Sequence, residues 1–207
     1  MKELTLEITN KCNQNCPWCS SSSVLDGRHN PVRKMVGILE NYQNECDTVR
    51  ISGGEPTLHP DLSLIVRRAK ELKYRVVLLT TGVNLYNRKE LFFPQVDQYW
   101  INVVNSQSIQ GAITLKSFFG AEVGMHIVMV KGNEDWLEST IRIGLRTEIP
   151  VRLLVLQRQG RGLNCKPLDL ISWTGDRGCL VENKITIAHD GKVVTCSALK
   201  YGECSLR

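Results

Sequence analysis

The stretch Cys12-Asn13-Gln14-Asn15-Cys16-Pro17-Trp18-Cys19 decides both the fold and the chemistry that this sequence indicates. It follows an alternating apolar run, residues 4–8, which is typical of a β-strand. Three cysteines in the pattern C-x3-C-x2-C can ligate three corners of one metal cluster. A [4Fe–4S] cluster ordinarily takes four thiolates, so three would leave one iron open to a small ligand. Zinc is the main alternative, because closely spaced cysteines also bind zinc, and three unrelated buried thiols are the third.

A second motif, Ile51-Ser52-Gly53-Gly54-Glu55-Pro56, follows the next short apolar run, residues 48–51. Its two glycines let the backbone approach a ligand closely, and its backbone groups together with Glu55 can hold an ammonium group. A branched side chain at Gly54 is therefore expected to block that ligand while leaving the cysteine loop intact. An ordinary strand-to-helix turn is the alternative interpretation of this motif taken alone.

Together the two motifs resemble the radical S-adenosylmethionine (radical SAM) superfamily. The resemblance implies that Cys12, Cys16 and Cys19 hold a [4Fe–4S] cluster whose open iron binds SAM, and that residues 53–56 contact the methionine amino group. It also implies further SAM contacts at the ends of later strands. These candidates are Thr80, Asn102, Asn105 and His126. A turn residue is the alternative for Asn105, and a core histidine is the alternative for His126.

Apolar periodicity predicts a β-α alternation through residue 156. Strands are expected at 3–9, 48–52, 75–80, 98–104, 123–130 and 151–156. Asn30 and Pro31 are expected to begin the first helix, Asn133 to cap the fifth, and a short third helix to lie near 87–93. A complete eightfold barrel needs about 250 residues, so a partial (β/α)6 parallel barrel over 1–156 is predicted. Both motifs then fall at the carboxyl ends of strands, where such sheets bind ligands.

The tail, residues 157–207, carries Cys165, Cys179, Cys196 and Cys204. Asp190-Gly191 between two alternating runs predicts a β-hairpin, which brings Cys179 and Cys196 together at its open end. The spacing is similar to the first half of the twitch and SPASM extensions of radical SAM enzymes, which implies a second [4Fe–4S] cluster. Zinc ligands and scattered thiols of a small β appendage are the alternatives. Cys46, alone at a helix end, is interpreted as a packing residue.

Composition sets the class of protein. The 207 residues carry a net charge of +5 with lysine and arginine scattered, so nucleic-acid binding is not indicated. No uninterrupted apolar run reaches the length of a membrane span, and the first residues alternate as a strand instead of forming a signal peptide. Eight cysteines in such a chain favour metal over disulfides. A cytoplasmic location is therefore expected, since an oxygen-labile cluster needs a reducing compartment.

The resemblance implies an enzyme that cleaves SAM reductively to a 5′-deoxyadenosyl radical and removes hydrogen from a substrate, with flavodoxin or ferredoxin as electron donor. Modification of a peptide or protein is the first expectation, because twitch and SPASM tails recur in peptide maturases. A small-molecule or nucleoside-precursor substrate, as in the deazaguanine pathway, is the second. An activase of a glycyl-radical enzyme is the third, and an Fe–S electron carrier or sensor is the alternative that is not an enzyme.

Overall fold

A computed structural model describes residues 2–87, 92–156 and 160–166, and the backbone of two strands at 184–187 and 193–194. The strands are β1 (Glu3–Glu7), β2 (Thr48–Ser52), β3 (Arg75–Thr80), β4 (Gln98–Asn102), β5 (Val123–Met129), β6 (Val151–Val155), β7 (Lys184–Ile187) and β8 (Val193–Val194). The helices are α1 (Val32–Tyr42), α2 (Leu62–Glu71), α3 (Val83–Asn87), α4 (Ser106–Phe119) and α5 (Glu134–Thr147). Two 3-10 turns span Pro56–Leu58 and Gly160–Asn164.

The strands form one sheet in the order β6-β5-β4-β3-β2-β1-β7-β8. Strands β1 to β7 pair in parallel, and β8 alone pairs antiparallel, with β7. Within the described ranges β6 and β8 are the free edges, so the sheet does not close. The prediction of an open, partial parallel barrel with a small β-hairpin is thereby confirmed.

The hairpin lies where the sequence analysis expects it, with Thr186 opposite Val194 and Ile187 opposite Val193. Its first strand also pairs in parallel with β1, from Glu3 beside Lys184 to Leu6 beside Ile187. The hairpin therefore continues the sheet of the barrel, an arrangement that the sequence analysis did not predict. The bounds of the tail as a separate unit, 157–207, stay a prediction.

The two faces of the sheet differ in chemistry because side chains alternate along each strand. Leu4 and Leu6 of β1, Ile8 directly after it, and Val49 and Ile51 of β2 are fully buried. The helices contribute the other half of this core, which includes Met35, Leu39, Ile65, Ile109 and Leu115. The opposite face, called the lumen face here, carries Glu3, Arg50, Gln98, Trp100 and Arg152. The barrel therefore has an apolar outer layer and a polar interior.

Two predicted helix starts are wrong in detail. Pro31, not Asn30, occupies the N-cap position of α1, and the Asn30 amide donates instead to the Glu7 carbonyl at 2.9 Å. Asn133 does lie at the N-cap position of α5, but its amide donates to the Val128 carbonyl at 3.1 Å. Both side chains are recruited by a neighbouring strand end, because a backbone carbonyl there needs a donor.

The third helix is the largest correction. It begins at Val83, soon after β3, whereas a short helix near 87–93 was predicted. Residues 88–91 lie outside the described part of the chain. None of the helices that the structure describes combines the length and apolarity needed to span a bilayer.

A glycine beneath a tryptophan gives the first test of this packing. A Cβ added at Gly124 would lie 2.3 Å from Cζ3 of Trp100, a side chain only 3% exposed. Gly124→Ala is therefore expected to lower the free energy of unfolding by about 1–3 kcal/mol, the usual cost of overpacking. Urea denaturation followed by circular dichroism measures this change in the free energy of unfolding.

Gly37 in α1 is the matched control, because nothing lies within 4 Å of a Cβ added there. Gly37→Ala should stabilise the protein by about 0.5–1 kcal/mol through helix propensity. If both alanine variants change stability in the same direction, the contact between Gly124 and Trp100 is not as described.

Candidate metal and cofactor site

The three cysteines lie on a long loop, residues 8–29, that leaves the carboxyl end of β1 and is called the cysteine loop here. The loop closes on itself through two isolated bridges, Thr9 with His29 and Lys11 with Val24. The Cys12 amide donates to the Val24 carbonyl at 2.8 Å, inside this closure. The loop is therefore held at its base, with the cysteines on the segment beyond it.

The three thiols lie close enough to sense each other's charge. Burial, followed by the charges of Cys12 and Cys19, raises the pKa of the Cys16 thiol to about 11. Burial is also the main cause of the raised pKa of Cys12. Thiols that resist ionisation in a shared, partly buried site gain most from a cationic group that stabilises their thiolates.

The donor set fits a [4Fe–4S] cluster. Fe–S clusters are held by cysteine thiolates, each on its own iron. All three cysteines are free thiols and neighbours, as such a cluster requires. Among the described residues, no three Cys, His, Asp or Glu side chains gather as closely as ligands of a single ion do. The cysteine loop thus offers three cysteine sulfurs, which is the type of ligand that such clusters use.

The Gly-Gly turn after β2 packs directly against the cysteine loop. A Cβ at Gly53, whose φ is +140°, would lie 2.4 Å from the Thr9 carbonyl oxygen, and one at Gly54 would lie 2.3 Å from that of Lys11. The expectation that a branched side chain at Gly54 would act on SAM alone is therefore wrong. Such a side chain would first displace the backbone that carries Cys12.

Hydrogen bonds also join the Gly-Gly turn to the cysteine loop. The Gly54 amide donates to the Thr9 carbonyl at 2.7 Å, and the Glu55 amide donates to the Lys11 carbonyl at 2.8 Å. The two motifs found in the sequence are thus one structural unit, with the glycines serving close contact between two backbones.

Glu55 is fully buried and its carboxylate accepts five hydrogen bonds. Oε1 accepts from the Thr57 amide, the Thr57 hydroxyl and the Thr80 hydroxyl, the last two at 2.6 Å. Oε2 accepts from the amide and the hydroxyl of Thr81, both at 2.8 Å. The carboxylate therefore binds the end of β3 to the end of β2. Its contact with a SAM ammonium group stays a prediction, as does that of Thr80, whose hydroxyl is committed to this network.

The other predicted SAM contacts lie at the same edge of the sheet. Asn102 ends β4 and is in register with His126 of β5. The Asn105 side chain accepts from the Ser108 amide as the N-cap of α4 and donates to Gln14 of the cysteine loop at 3.3 Å. His126, 4% exposed, stacks on Trp100 with ring centroids 4.4 Å apart. Their contacts with SAM stay predictions.

Arg161, which sequence reasoning missed, holds the cysteine loop from the far end of the sheet. Its Nε donates to the Cys16 carbonyl at 2.9 Å and its Nη1 donates to the Ser23 carbonyl at 3.0 Å. Its own amide donates to the Cys19 carbonyl at 3.0 Å. Its positive charge lowers the pKa of both Cys12 and Cys16, opposing the effect of burial. In the sequence, the Gly-Arg-Gly stretch at 160–162 is the only pattern that indicates a tight loop there.

The tail cysteines are only partly described. Cys165 follows the Gly160–Asn164 turn as a half-buried free thiol. Cys179, Cys196 and Cys204 lie outside the described residues, so their ligand set stays a prediction. Cys46 is 5% exposed within the hydrophobic core, in line with its interpretation as a packing residue.

The Glu55 network can be tested by one isosteric change. Glu55→Gln places an amide NH2 among five donors, so repulsion replaces at least one strong hydrogen bond. The free energy of unfolding is expected to fall by about 2–3 kcal/mol, as for charged hydrogen bonds. Glu138→Gln on α5, an exposed position, is the control and should stay within about 0.5 kcal/mol. Equal urea midpoints for the two variants would contradict the network.

The charge of Arg161 can be tested on the metal-free, reduced protein. Arg161→Gln removes the positive charge beside the thiols, so the pKa of Cys16 rises further. The pH at half-maximal alkylation of Cys16 by iodoacetamide, measured by peptide mass spectrometry, should then move upward. Arg142→Gln, exposed on α5, should leave it in place. A downward shift would mean that the variant acts by exposing the loop and not by removing charge.

Comparison with known proteins agrees with this site. The family model of the radical SAM superfamily matches residues 6–95, the segment that contains both motifs. A 7,8-dihydro-6-hydroxymethylpterin dimethyltransferase of Methanocaldococcus jannaschii is 25% identical over 91% of this chain and 40% of its own length. A probable GTP 3′,8-cyclase of Sulfolobus acidocaldarius is 26% identical over 79% of this chain and 50% of its own. The chain thus spans half or less of the length of these relatives.

Solved structures share the fold at low sequence identity. The crystal structure of Streptococcus suis SuiB bound to the precursor peptide SuiA has a TM-score of 0.73 and 14% identity, covering 98% of this chain and 61% of that one. The structure of anSMEcpe with bound AdoMet and a peptide has a TM-score of 0.57 and 12% identity, covering 75% and 51%.

Three findings agree: the matched family model, the open parallel sheet, and a three-cysteine loop joined to a Gly-Gly-Glu turn at its carboxyl edge. On these grounds the resemblance of this chain to the radical SAM superfamily, which the two motifs predict, is confirmed.

Proposed function

We propose that this protein cleaves SAM reductively and uses the resulting radical to remove hydrogen from a substrate. The observation that carries the proposal is the joining of three neighbouring thiols to the Gly53-Gly54 turn by backbone contact. A cluster and a SAM molecule bound there would share one edge of the sheet.

When bound, the reduced [4Fe–4S] cluster and SAM supply the 5′-deoxyadenosyl radical, since such cofactors carry the difficult chemistry. Cys12, Cys16 and Cys19 would hold the cluster. Residues 53–56 and the strand-end candidates Thr80, Asn102, Asn105 and His126 would orient SAM. The protein's own task is positioning, and Arg161 and the Gly-Gly turn hold the cysteine loop from two sides.

The tail is proposed to complete the enzyme. Residues 157–207 would form an extension of the barrel, 1–156, in which Cys179, Cys196, Cys204 and Cys165 hold an auxiliary [4Fe–4S] cluster. Such a cluster would take an electron from the substrate radical or anchor the substrate. Flavodoxin or ferredoxin is the electron donor in this proposal. The cytoplasm, a reducing compartment, is the proposed location.

Modification of a peptide or protein is the first proposal for the substrate. It is supported by the structural likeness to SuiB, solved with a precursor peptide, and to anSMEcpe, solved with a peptide.

A small heterocyclic molecule is the second proposal for the substrate, and a separate observation favours it. The sequence relatives act, by their names, on a pterin, on GTP or on a nucleotide. The sequence similarity thus favours small molecules, whereas the structural likeness favours peptides.

The test uses a protein in which Cys12, Cys16 and Cys19 are all replaced by Ala. After anaerobic reconstitution and dithionite reduction, the unaltered protein should release 5′-deoxyadenosine from SAM and the triple variant should release none. Cys46→Ala, a core position far from the loop in sequence, is the control and should retain both iron and activity. Undiminished SAM cleavage by the triple variant would overturn the proposed function.

Iron counting on the same proteins tests the auxiliary cluster. The unaltered protein should carry about eight irons per chain, two clusters of four, and the triple variant about four. About four irons in the unaltered protein and none in the variant would eliminate the tail cluster while leaving SAM cleavage in place.

A further inference from the structure

We infer that the interior of the barrel binds an oxyanion, a phosphate or carboxylate group of a small-molecule substrate. This inference rests on the proposed function with its second substrate class, a small molecule, and names the chemistry of that substrate. The site is a cavity of about 280 Å³ on the lumen face, running from the beginnings of the strands to Trp100 and Arg152. It lies below the cysteine loop and shares no residue with it.

Arg152 is the first of two cationic groups that favour an anion there. It lies on β6 with its guanidinium 4.2 Å from the centre of the Trp100 ring. Among the described residues it has no acidic partner, although its side chain lines the cavity. Stacking on a buried indole restrains the guanidinium without satisfying its donors. Arg152 therefore offers a positioned, uncommitted set of N–H groups to a ligand.

Arg50 is the second cationic group that favours an anion in this cavity. Its Nη2 donates to Glu3 Oε2 at 2.8 Å, and both side chains are mostly buried. Its Nε is buried and has no hydrogen-bond partner in the described part of the chain. A buried donor without an acceptor is destabilising, so an orphan of this kind is a sign of a missing ligand atom. The cavity that Arg50 lines is the space in which such an acceptor would lie.

The charge of the lining favours the same ligand. Four cationic residues, Lys2, Arg50, Arg75 and Arg152, face two acidic ones, Glu3 and Asp47. Arg75 is already paired with Glu122 at 3.1 Å, and Arg50 with Glu3. The uncommitted charge of the cavity is thus positive, at Arg152 above all, and guanidinium groups bind phosphate and carboxylate in a bidentate way.

The register connects the cavity with the proposed site of chemistry. Arg152 pairs with His126, which pairs with Asn102 at the carboxyl edge. A strand of five residues such as β4 spans only about 13–17 Å. A molecule with the dimensions of a nucleotide is therefore long enough to reach from the cavity to that edge. A phosphate ester fits this best, since its phosphate offers several acceptor oxygens to guanidinium donors.

The test is calorimetric titration of inorganic pyrophosphate into the reconstituted protein saturated with SAM, at about 0.15 M salt, so that surface attraction is screened. Arg152→Gln should weaken binding at least about tenfold, or about 1.4 kcal/mol. Arg50→Lys, which keeps the charge but removes Nε, should weaken it by a smaller factor. Arg67→Gln on α2, with an exposed side chain, carries the same charge change as Arg152→Gln and should leave binding within about twofold.

Succinate and an acidic tetrapeptide, titrated separately, distinguish the source of the oxyanion. Binding of pyrophosphate or succinate that depends on Arg152 supports the inference, and names phosphate or carboxylate. Binding of the peptide alone, absence of all binding, or equal loss in the Arg67 variant would overturn it. Thermal melts of each variant separate lost binding from lost folding. Release of 5′-deoxyadenosine by the unaltered protein is measured in parallel, so failure here with intact SAM cleavage leaves the proposed function standing.

Discussion

The buried carboxylate of Glu55 is the constraint on which the candidate site depends. A charge removed from water costs several kcal/mol unless it is fully hydrogen-bonded, and here five donors from three threonines meet it. Those donors exist only if β2 and β3 end side by side and the chain turns tightly after each. The carboxylate thus enforces the geometry of the carboxyl edge, and the adjoining glycines transmit that geometry to the cysteine loop.

The cysteine loop is held between two unrelated partners. On one side the Gly53-Gly54 turn contacts the backbone before the first cysteine, and on the other Arg161 binds the carbonyl of Cys16. Gly160, with φ of +52°, permits this second approach, because a Cβ there would lie 2.5 Å from the Ser20 carbonyl oxygen. A loop of free thiols that must later accept a cluster gains from being shaped beforehand, since less ordering remains to be done on binding.

Much of this arrangement could be predicted from sequence. The alternation of strands and helices, the hairpin around Asp190-Gly191 and the position of both motifs at strand ends follow from local periodicity and turn chemistry. The predictions that were wrong share one cause, which is that a local pattern does not show which group of another element a residue will meet. Asn30 and Asn133 resemble helix caps locally, yet each amide serves a strand carbonyl elsewhere. A branched side chain at Gly54 was expected to leave the cysteine loop intact, yet a Cβ there would meet the Lys11 carbonyl.

By itself, then, the sequence determined the class of fold, the cysteines that face one another, and the turn beside them, because each is encoded within a few consecutive residues. Only the tertiary structure decided that β7 pairs with β1, that Arg161 reaches a loop 145 positions earlier, and that Arg152 stacks on Trp100. Those contacts join residues far apart in the chain, and no local pattern specifies which of several arginines will meet which carbonyl or ring. The physical reason is that parallel strands need long crossovers, so parallel neighbours in the sheet are distant in sequence.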